Sequence, residues 1–421
     1  MDIALINKIL DFIFCTINTG WGIYIIISGV LMFLFVRRAL KQPLPELSKK
    51  LPKAAIIAPC KDVDPDFEEN MAMLLKQDYP DYEIFFVTID EQDDNYPILK
   101  KLVAQSPVPA HLYLGGLSRK RAQKLDNMLK AIENLSDDIE VFVFIDSDSR
   151  ITEEWLKNMV VPLMDKNVGS VTGFRWYLPE KGRLISYIHC LWTAILYGNL
   201  YTEAFIATWG GSMSILRSTY EKLNLKEKWD LALSDDCVLN EELHKAKLKI
   251  VFNPRCMTSS LSPFPFWEVF GFATRQAIIA KFCLSGIWWV STCLLTLVHG
   301  IIFLGIYKII YEGFSWTAAG MLSFIPFTMI QEIFVMLSIQ QLTKERKGDR
   351  LTAKISWAFL MPFAYLFLWL SFVAALFLDK FEWRGIYYKM DDAYKTTIYK
   401  APERFNDKRL ESAEAKPLSN N

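Results

Sequence analysis

Apolar positions along the chain follow two different rhythms. Residues 17–36, INTGWGIYIIISGVLMFLFV, carry no charge, and a helix of that length spans the hydrocarbon core of a bilayer. Three more long apolar runs, at 285–310, 315–340 and 353–378, predict three spans near the end of the chain. Between 54 and 260 the apolar runs are shorter and the pattern alternates. AAIIAP, YEIFFVTID and VFVFIDSDS read as buried strands, while DPDFEENMAMLLKQDYP and QKLDNMLKAIENL read as helices. Alternation of this kind predicts βαβ units around a mostly parallel sheet. The expected division is an anchor and basic linker at 1–53, an α/β domain at 54–262, and an interfacial amphipathic segment at 263–284. A transmembrane region at 285–380 and a polar tail at 381–421 complete it.

The first run is too long for a signal peptide, no small-residue cleavage site follows it, and Arg37-Arg38 closes it, so it reads as an anchor. Lys41, Lys49, Lys50 and Lys53 continue the basic stretch. By the positive-inside rule residue 37 onward faces the cytosol, and TKERKGDR (343–350) reads as a second cytosolic loop. The last run would then carry the tail outside, unless one of the runs is re-entrant. RFNDKRLESAEAKPLSNN (404–421) is polar enough to be disordered.

Composition removes several function classes. Over 421 residues the formal net charge is +0, which gives no reason to expect a nucleic-acid partner. Seven scattered cysteines form no C-x-x-C pair, which argues against a structural zinc site and suits a reducing compartment. No G-x-G-x-x-G or G-x-x-x-x-G-K-[ST] occurs, so the usual glycine cradle for a dinucleotide or ATP is missing.

Open parallel sheets bind ligands beyond the carboxyl ends of their strands. Those ends carry Cys60-Lys61-Asp62, Asp90 and Asp146-Ser147-Asp148. Without a glycine cradle, a divalent cation is the simplest holder of a phosphate. Mg²⁺ or Mn²⁺ takes one or two carboxylates plus phosphate oxygens, which Asp146 and Asp148 could supply. The alternative is turn chemistry, with Ser149 or Thr152 capping the next helix. Asp235-Asp236, ahead of the amphipathic CVLNEELHKAKL, is open in the same way. It is either a general base or a pair of acidic residues favoured by a helix's first turn.

Taken together, these blocks resemble family 2 glycosyltransferases of the GT-A fold, and within them the membrane-anchored, ceramide glucosyltransferase-like branch. The likeness rests on APCKDVDPDFEENMAMLLKQDYPDYEIFFVTIDEQDD, KLDNML, FIDSDSRITEEWL, VGSVTG, GGSMSILRSTYEKL and SDDCVLNEELHKAKLKIVFNP. They stand in family order over about residues 54–280. The resemblance implies a nucleotide sugar, a UDP-hexose, held by Pro59, Lys61, Asp62, Asp90, Lys124, Asn127, Asp146 and Arg275. It implies Mg²⁺ or Mn²⁺ on Asp146 and Asp148, with Gly210, Gly211, Ser212 and Met213 on the acceptor side. Asp236, with Asp235 beside it, would be the catalytic base, and the acceptor a membrane lipid hydroxyl.

One base and one metal site suffice for inverting transfer, because a cation can stabilise the diphosphate leaving group without protonating it. The branch's (Gln/Arg)-x-x-Arg-Trp motif is incomplete: Ile278 and Ile279 stand where Arg-Trp would be. EWRGIYYKM (382–390) is similar to a Trp-Arg-Gly-x-x-Tyr element that follows the last span of related enzymes. A processive polysaccharide synthase and a non-enzymatic membrane scaffold with a degenerate transferase domain are the rival expectations.

Overall fold

The computed structural model describes residues 3–43, 51–345 and 352–401. Lys49 and Lys50 of the basic linker, most of the 343–350 loop and the 404–421 tail lie outside the described residues. In chain order the strands are β1 Ala54–Pro59, β2 Tyr82–Thr88, β3 Ala110–Leu114, β4 Val141–Ile145, β5 Val168–Thr172, β6 Arg175–Pro179, β7 Ser212–Leu216, β8 Lys249–Phe252, β9 Thr258–Ser262, β10 Lys380–Trp383, β11 Ile386–Asp392 and β12 Lys395–Lys400.

Seven strands form the main sheet in the order β3-β2-β1-β4-β7-β5-β8. The protein is a mixed α/β fold with a mainly parallel sheet: only β7 runs against its neighbours β4 and β5. The apolar runs of β1 and β4 are fully buried because helices cover both faces. Alternate residues divide between those faces. Ala55, Ile57, Phe85, Phe142 and Phe144 pack with Leu125 and Met128 of the helix Gln123–Ile132. Ile56, Ala58, Phe86, Val143 and Ile145 pack instead with Phe67, Leu99 and Trp155 of other helices. The first of these two cores continues without a break into Met32, Val36, Trp288 and Val335 of the membrane helices.

Four helices are long and apolar enough to cross a membrane. The first, Ile3–Lys41, begins well before the run of uncharged residues. It runs beside Phe324–Glu345 in the same direction: Asn18 donates to the Met321 carbonyl at 2.7 Å. Further along, a Cβ on Gly29 would lie 2.8 Å from the Gln331 carbonyl oxygen, so glycine permits the close approach. Ser285–Tyr311 runs the opposite way, its Lys308 meeting Asp11 at 3.0 Å.

The last apolar helix, Met361–Leu376, returns to the side it started from. At its approach the Thr352 carbonyl accepts from Trp176 of β6. At its end the Ala375 carbonyl accepts from Lys281 at 2.9 Å, and β10 follows directly. The α/β domain and β10–β12 therefore share one side of the helices, the arrangement that a re-entrant last run requires. Residues 380–400, expected at the start of a polar tail, are instead a three-stranded antiparallel sheet. Thr396 N–H of that sheet donates to the Leu231 carbonyl at 2.8 Å. A shorter apolar helix, Leu184–Tyr197, was not foreseen from the sequence. It is inserted between β6 and β7, and Ser28 of the first span donates to the Gly198 carbonyl just beyond its end.

Candidate active site

Topology gathers the chemistry at one edge of the sheet. The six parallel strands end there, and antiparallel β7 begins there. Ile145 pairs with Ser212, so the turn after β4 lies beside Gly210-Gly211, and Asp146 N–H donates to the Gly211 carbonyl at 3.3 Å. The strand stops at Ile145, and Ser149 N–H closes the turn on the Asp146 carbonyl at 3.1 Å. The turn brings both carboxylates to one cation. Neither Ser149 nor Thr152 caps the following helix, whose N-cap is Glu154 without a side-chain bond.

That cation is Arg175, three residues after β5. Its guanidinium meets Asp146 Oδ2 at 2.5 Å and Asp148 Oδ2 at 2.7 Å, and lies 4.9 Å from the Trp209 ring. Lys124, in the first turn of its helix, reaches Asp146 Oδ1 at 2.9 Å and Asp235 Oδ1 at 3.2 Å. Burial opposes ionisation of Asp146, but Lys124 and Arg175 outweigh it and hold the carboxyl below its ordinary range. Burial wins at the other two: Asp148 and Asp235 are each pushed up to about 6, against the pull of Arg175 and Lys124 respectively.

Gly210 and Gly211 press against these groups. A Cβ on Gly211 would stand 2.5 Å from Asp146 Oδ2, and one on Gly210 would collide with Asp235 Oδ2. Ser212 and Met213 are buried in β7, where Ser212 Oγ donates to the Cys256 carbonyl. Asp236 is half-buried. Its Oδ2 accepts from Gly210 N–H at 2.9 Å, and its Oδ1 from Cys237 N–H at 2.8 Å and from Ser234 Oγ.

Residues 22–396 match the description "Glycosyl transferase family 21". The chain belongs to glycosyl transferase family 21. The resemblance to family 2 is corrected in that respect, while the enzyme class stands: the protein is a glycosyltransferase. Among solved structures it is similar to the mannosyltransferase PcManGT from Pyrobaculum calidifontis in complex with GDP-Man and Mn²⁺. Identity is 15%, coverage is 86% of this chain and 98% of that one, and the TM-score is 0.43.

The remaining expected residues of this glycosyltransferase line the same edge, with varied engagements. Asp90, half-buried just past β2, accepts from Gln92 N–H at 2.9 Å. Pro59 ends β1, and Lys61 beyond it pairs with adjacent Asp62 at 2.8 Å. Asn127 donates to the Cys60 and Val87 carbonyls and accepts from Gln123. Its amide therefore ties the tips of β1 and β2 together. Arg275 stacks 4.9 Å from the Trp383 ring and 5.2 Å from Phe272. Burial lowers its pKa to about 10.

Sequence reasoning missed Arg175, Trp209, Asp64 and Arg384. Nothing in GFRWYLP marks Arg175. Arg384 stood in the Trp-Arg-Gly element, whose role the sequence alone did not give.

Asp146 and Asp148 fit a divalent cation of the kind this glycosyltransferase family resemblance implied. They are hard oxygen donors, they already share one cation, and Asp148 Oδ1 is buried without a hydrogen-bond partner. Among the described residues no three His, Cys, Asp or Glu side chains group around one ion position. An ion held here would need its other ligands from phosphate and water, as Mg²⁺ commonly does.

Proposed function

We propose that this glycosyltransferase transfers a hexose, glucose from UDP-glucose, onto the hydroxyl of a membrane lipid with inversion at the anomeric carbon. The domain at 54–262 would work on the cytosolic face, a reading supported by the basic stretch from Arg37 under the positive-inside rule. Asp146 and Asp148 would hold Mg²⁺ or Mn²⁺, which supplies charge neutralisation to the diphosphate leaving group. Lys124 and Arg175 present further positive charge to the same oxygens, and Asp90 is placed for the base or ribose.

Asp236 takes the proton of the lipid hydroxyl as its oxygen bonds to the anomeric carbon and the bond to the diphosphate oxygen breaks. Its three hydrogen-bond donors fix the carboxylate's direction, and its partial exposure leaves it within reach of an acceptor. Asp235, 4% exposed, is enclosed against Lys124.

A direct link from this charge cluster to the membrane helices carries the lipid reading. Tyr177, whose hydroxyl accepts from Arg175, stacks 3.8 Å from His189 of the helix Leu184–Tyr197. Both rings pack on Phe272 of the helix Phe266–Cys283, and Phe270 of that helix packs on Phe367 of the re-entrant one. An acceptor reaching Arg175 from this side leaves an apolar, bilayer-facing environment.

The test is lipid mass spectrometry of cells expressing the wild type against cells expressing Asp236→Asn. A lipid shifted by one hexose in the first alone supports the proposal. Extension of a polymer by the purified enzyme, with no hexosyl lipid, would replace it with the processive reading.

A further inference from the structure

The hairpin β10–β11 turns on two residues, Arg384 and Gly385, both with left-handed backbone at φ 51° and 77°. Two-residue turns of this hand favour Asn, Asp or Gly at the first position, because a longer side chain is strained there. Strain of this sort persists where the surroundings hold it and marks functional positions.

The surroundings here are the loop after β1. One terminal nitrogen of Arg384 donates to both oxygens of Asp64, at 2.7 and 2.8 Å, and the other to the Lys61 carbonyl. Asp64 Oδ2 in turn accepts from Ser147 Oγ at 2.8 Å. Ser147 is 4% exposed and stands between the two carboxylates of the strand tip. Next to Arg384 on the hairpin, Trp383 stacks on Arg275.

We propose that Arg384 is a positioning residue for the donor site. It holds Asp64, Asp64 fixes Ser147, and Ser147 sets the spacing at which Asp146 and Asp148 meet a nucleoside diphosphate and its cation. This rests on reading that strand tip as the donor site. A guanidinium suits the task because its rigid fork can engage a carboxylate and a carbonyl together, whereas an ammonium acts as a single point charge. The relay crosses the fold from the hairpin that follows the last apolar helix to the tip of β4. The donor site is therefore complete only when that hairpin is docked.

The experiment measures Mn²⁺ bound with UDP, by electron paramagnetic resonance, on the full-length enzyme in lipid nanodiscs. Thermal melts accompany it. Arg384→Lys keeps the charge and loses the fork, and Ser147→Ala breaks the last link while leaving Arg384 and Asp64 paired. Each should weaken Mn²⁺–UDP binding by about 10- to 100-fold, as loss of outer-sphere support does. Donor KM should rise more than kcat falls. The double variant should be no worse than the worse single one, because both cut one relay.

Additive losses, or lowered melting with unchanged Mn²⁺–UDP binding, overturn the proposal. If Arg384→Lys does not fold, Ser147→Ala decides alone: weakened binding supports the relay and intact binding overturns it. Asp148→Ala separates the two levels. Intact Mn²⁺–UDP binding in Asp148→Ala removes the donor-site reading and this inference with it. Lost binding there with full binding in Ser147→Ala removes this inference alone.

Discussion

The guanidinium of Arg175 donates to Asp148 at 2.7 Å, so the second carboxylate of the strand tip is paired before any donor arrives. The same side chain holds Asp146. Removing it leaves Asp148 without its cation and Asp146 with Lys124 alone, and breaking a mostly buried pair from one side costs up to about 3 kcal/mol. Arg175→Ala should therefore melt markedly lower than the wild type without metal. Mn²⁺ with UDP should recover more melting temperature in the variant than in the wild type. Equal shifts in both would show that Arg175 and the ion do not share those carboxylates.

Among the described residues two carboxylates, Asp146 and Asp148, are proposed for the ion, and the diphosphate would supply other ligands. Mn²⁺ alone should therefore bind weakly, and UDP should tighten it by at least an order of magnitude, as linkage requires. Excess EDTA should stop turnover, and added Mn²⁺ or Mg²⁺ should restore it. Full turnover in EDTA would remove the ion from the mechanism.

Asp236→Asn preserves size but cannot take a proton. Loss of general-base help lowers kcat by roughly 10²–10⁴-fold, while Mn²⁺–UDP affinity should hold. A purely structural first-turn carboxylate would tolerate Asn, since the two residues serve helix starts about equally. Near-normal kcat with an unchanged melt would move the proton to Asp235.

Asp148 and Asp235 both bear on the acid limb of the pH profile, since each carboxyl is raised to about 6. The Asp235 carboxyl is raised mainly by burial, so it gains a proton as pH falls through that value and Lys124 keeps only Asp146 as a charged partner. The rate should drop over the same interval, and Asp235→Asn should flatten that limb. Stability runs the other way. A raised carboxyl contributes fully below its unfolded value near 4 and loses that contribution as pH rises through about 6. The melting temperature of Asp235→Asn should therefore gain on the wild type as pH rises from about 4 to about 6, and the gain should level off above that.

Gly211→Ala would drive a Cβ into Asp146 Oδ2 and the Trp209 ring. Donor KM should rise about tenfold or more, because small displacements of positioning groups are costly. A Gly211→Ala enzyme with wild-type donor KM would show that the carboxylate has room to move.

The parts legible in the sequence are those where one short segment carries its own pattern. β1, β2 and β4 announce themselves as apolar runs closed by Asp or Lys, and Asp146, Asp148, Asp235 and Asp236 follow from strand and helix ends. The parts that were not legible depend on pairing across the chain. Arg175 finds Asp146 and Asp148 across 29 and 27 residues, and Arg384 finds Asp64 across 320. Hydropathy measured the length of the last apolar run but not where its ends are held, since Thr352 and Ala375 are fixed by Trp176 and Lys281. β10–β12 were missed because their alternation is short and half polar: in Ile386–Asp392 buried and half-buried residues alternate before two exposed ones.

The re-entrant course of Met361–Leu376 has a consequence for labelling the protein. With three full crossings and one return, the first and last described residues would face opposite compartments. A reporter fused at the end of the chain would share the compartment of the α/β domain, and one fused at its start would stand across the bilayer from it. Two fluorophores at those positions would be separated by the membrane's full thickness, even though Arg384, in the hairpin ahead of the second, is hydrogen-bonded to the loop after β1.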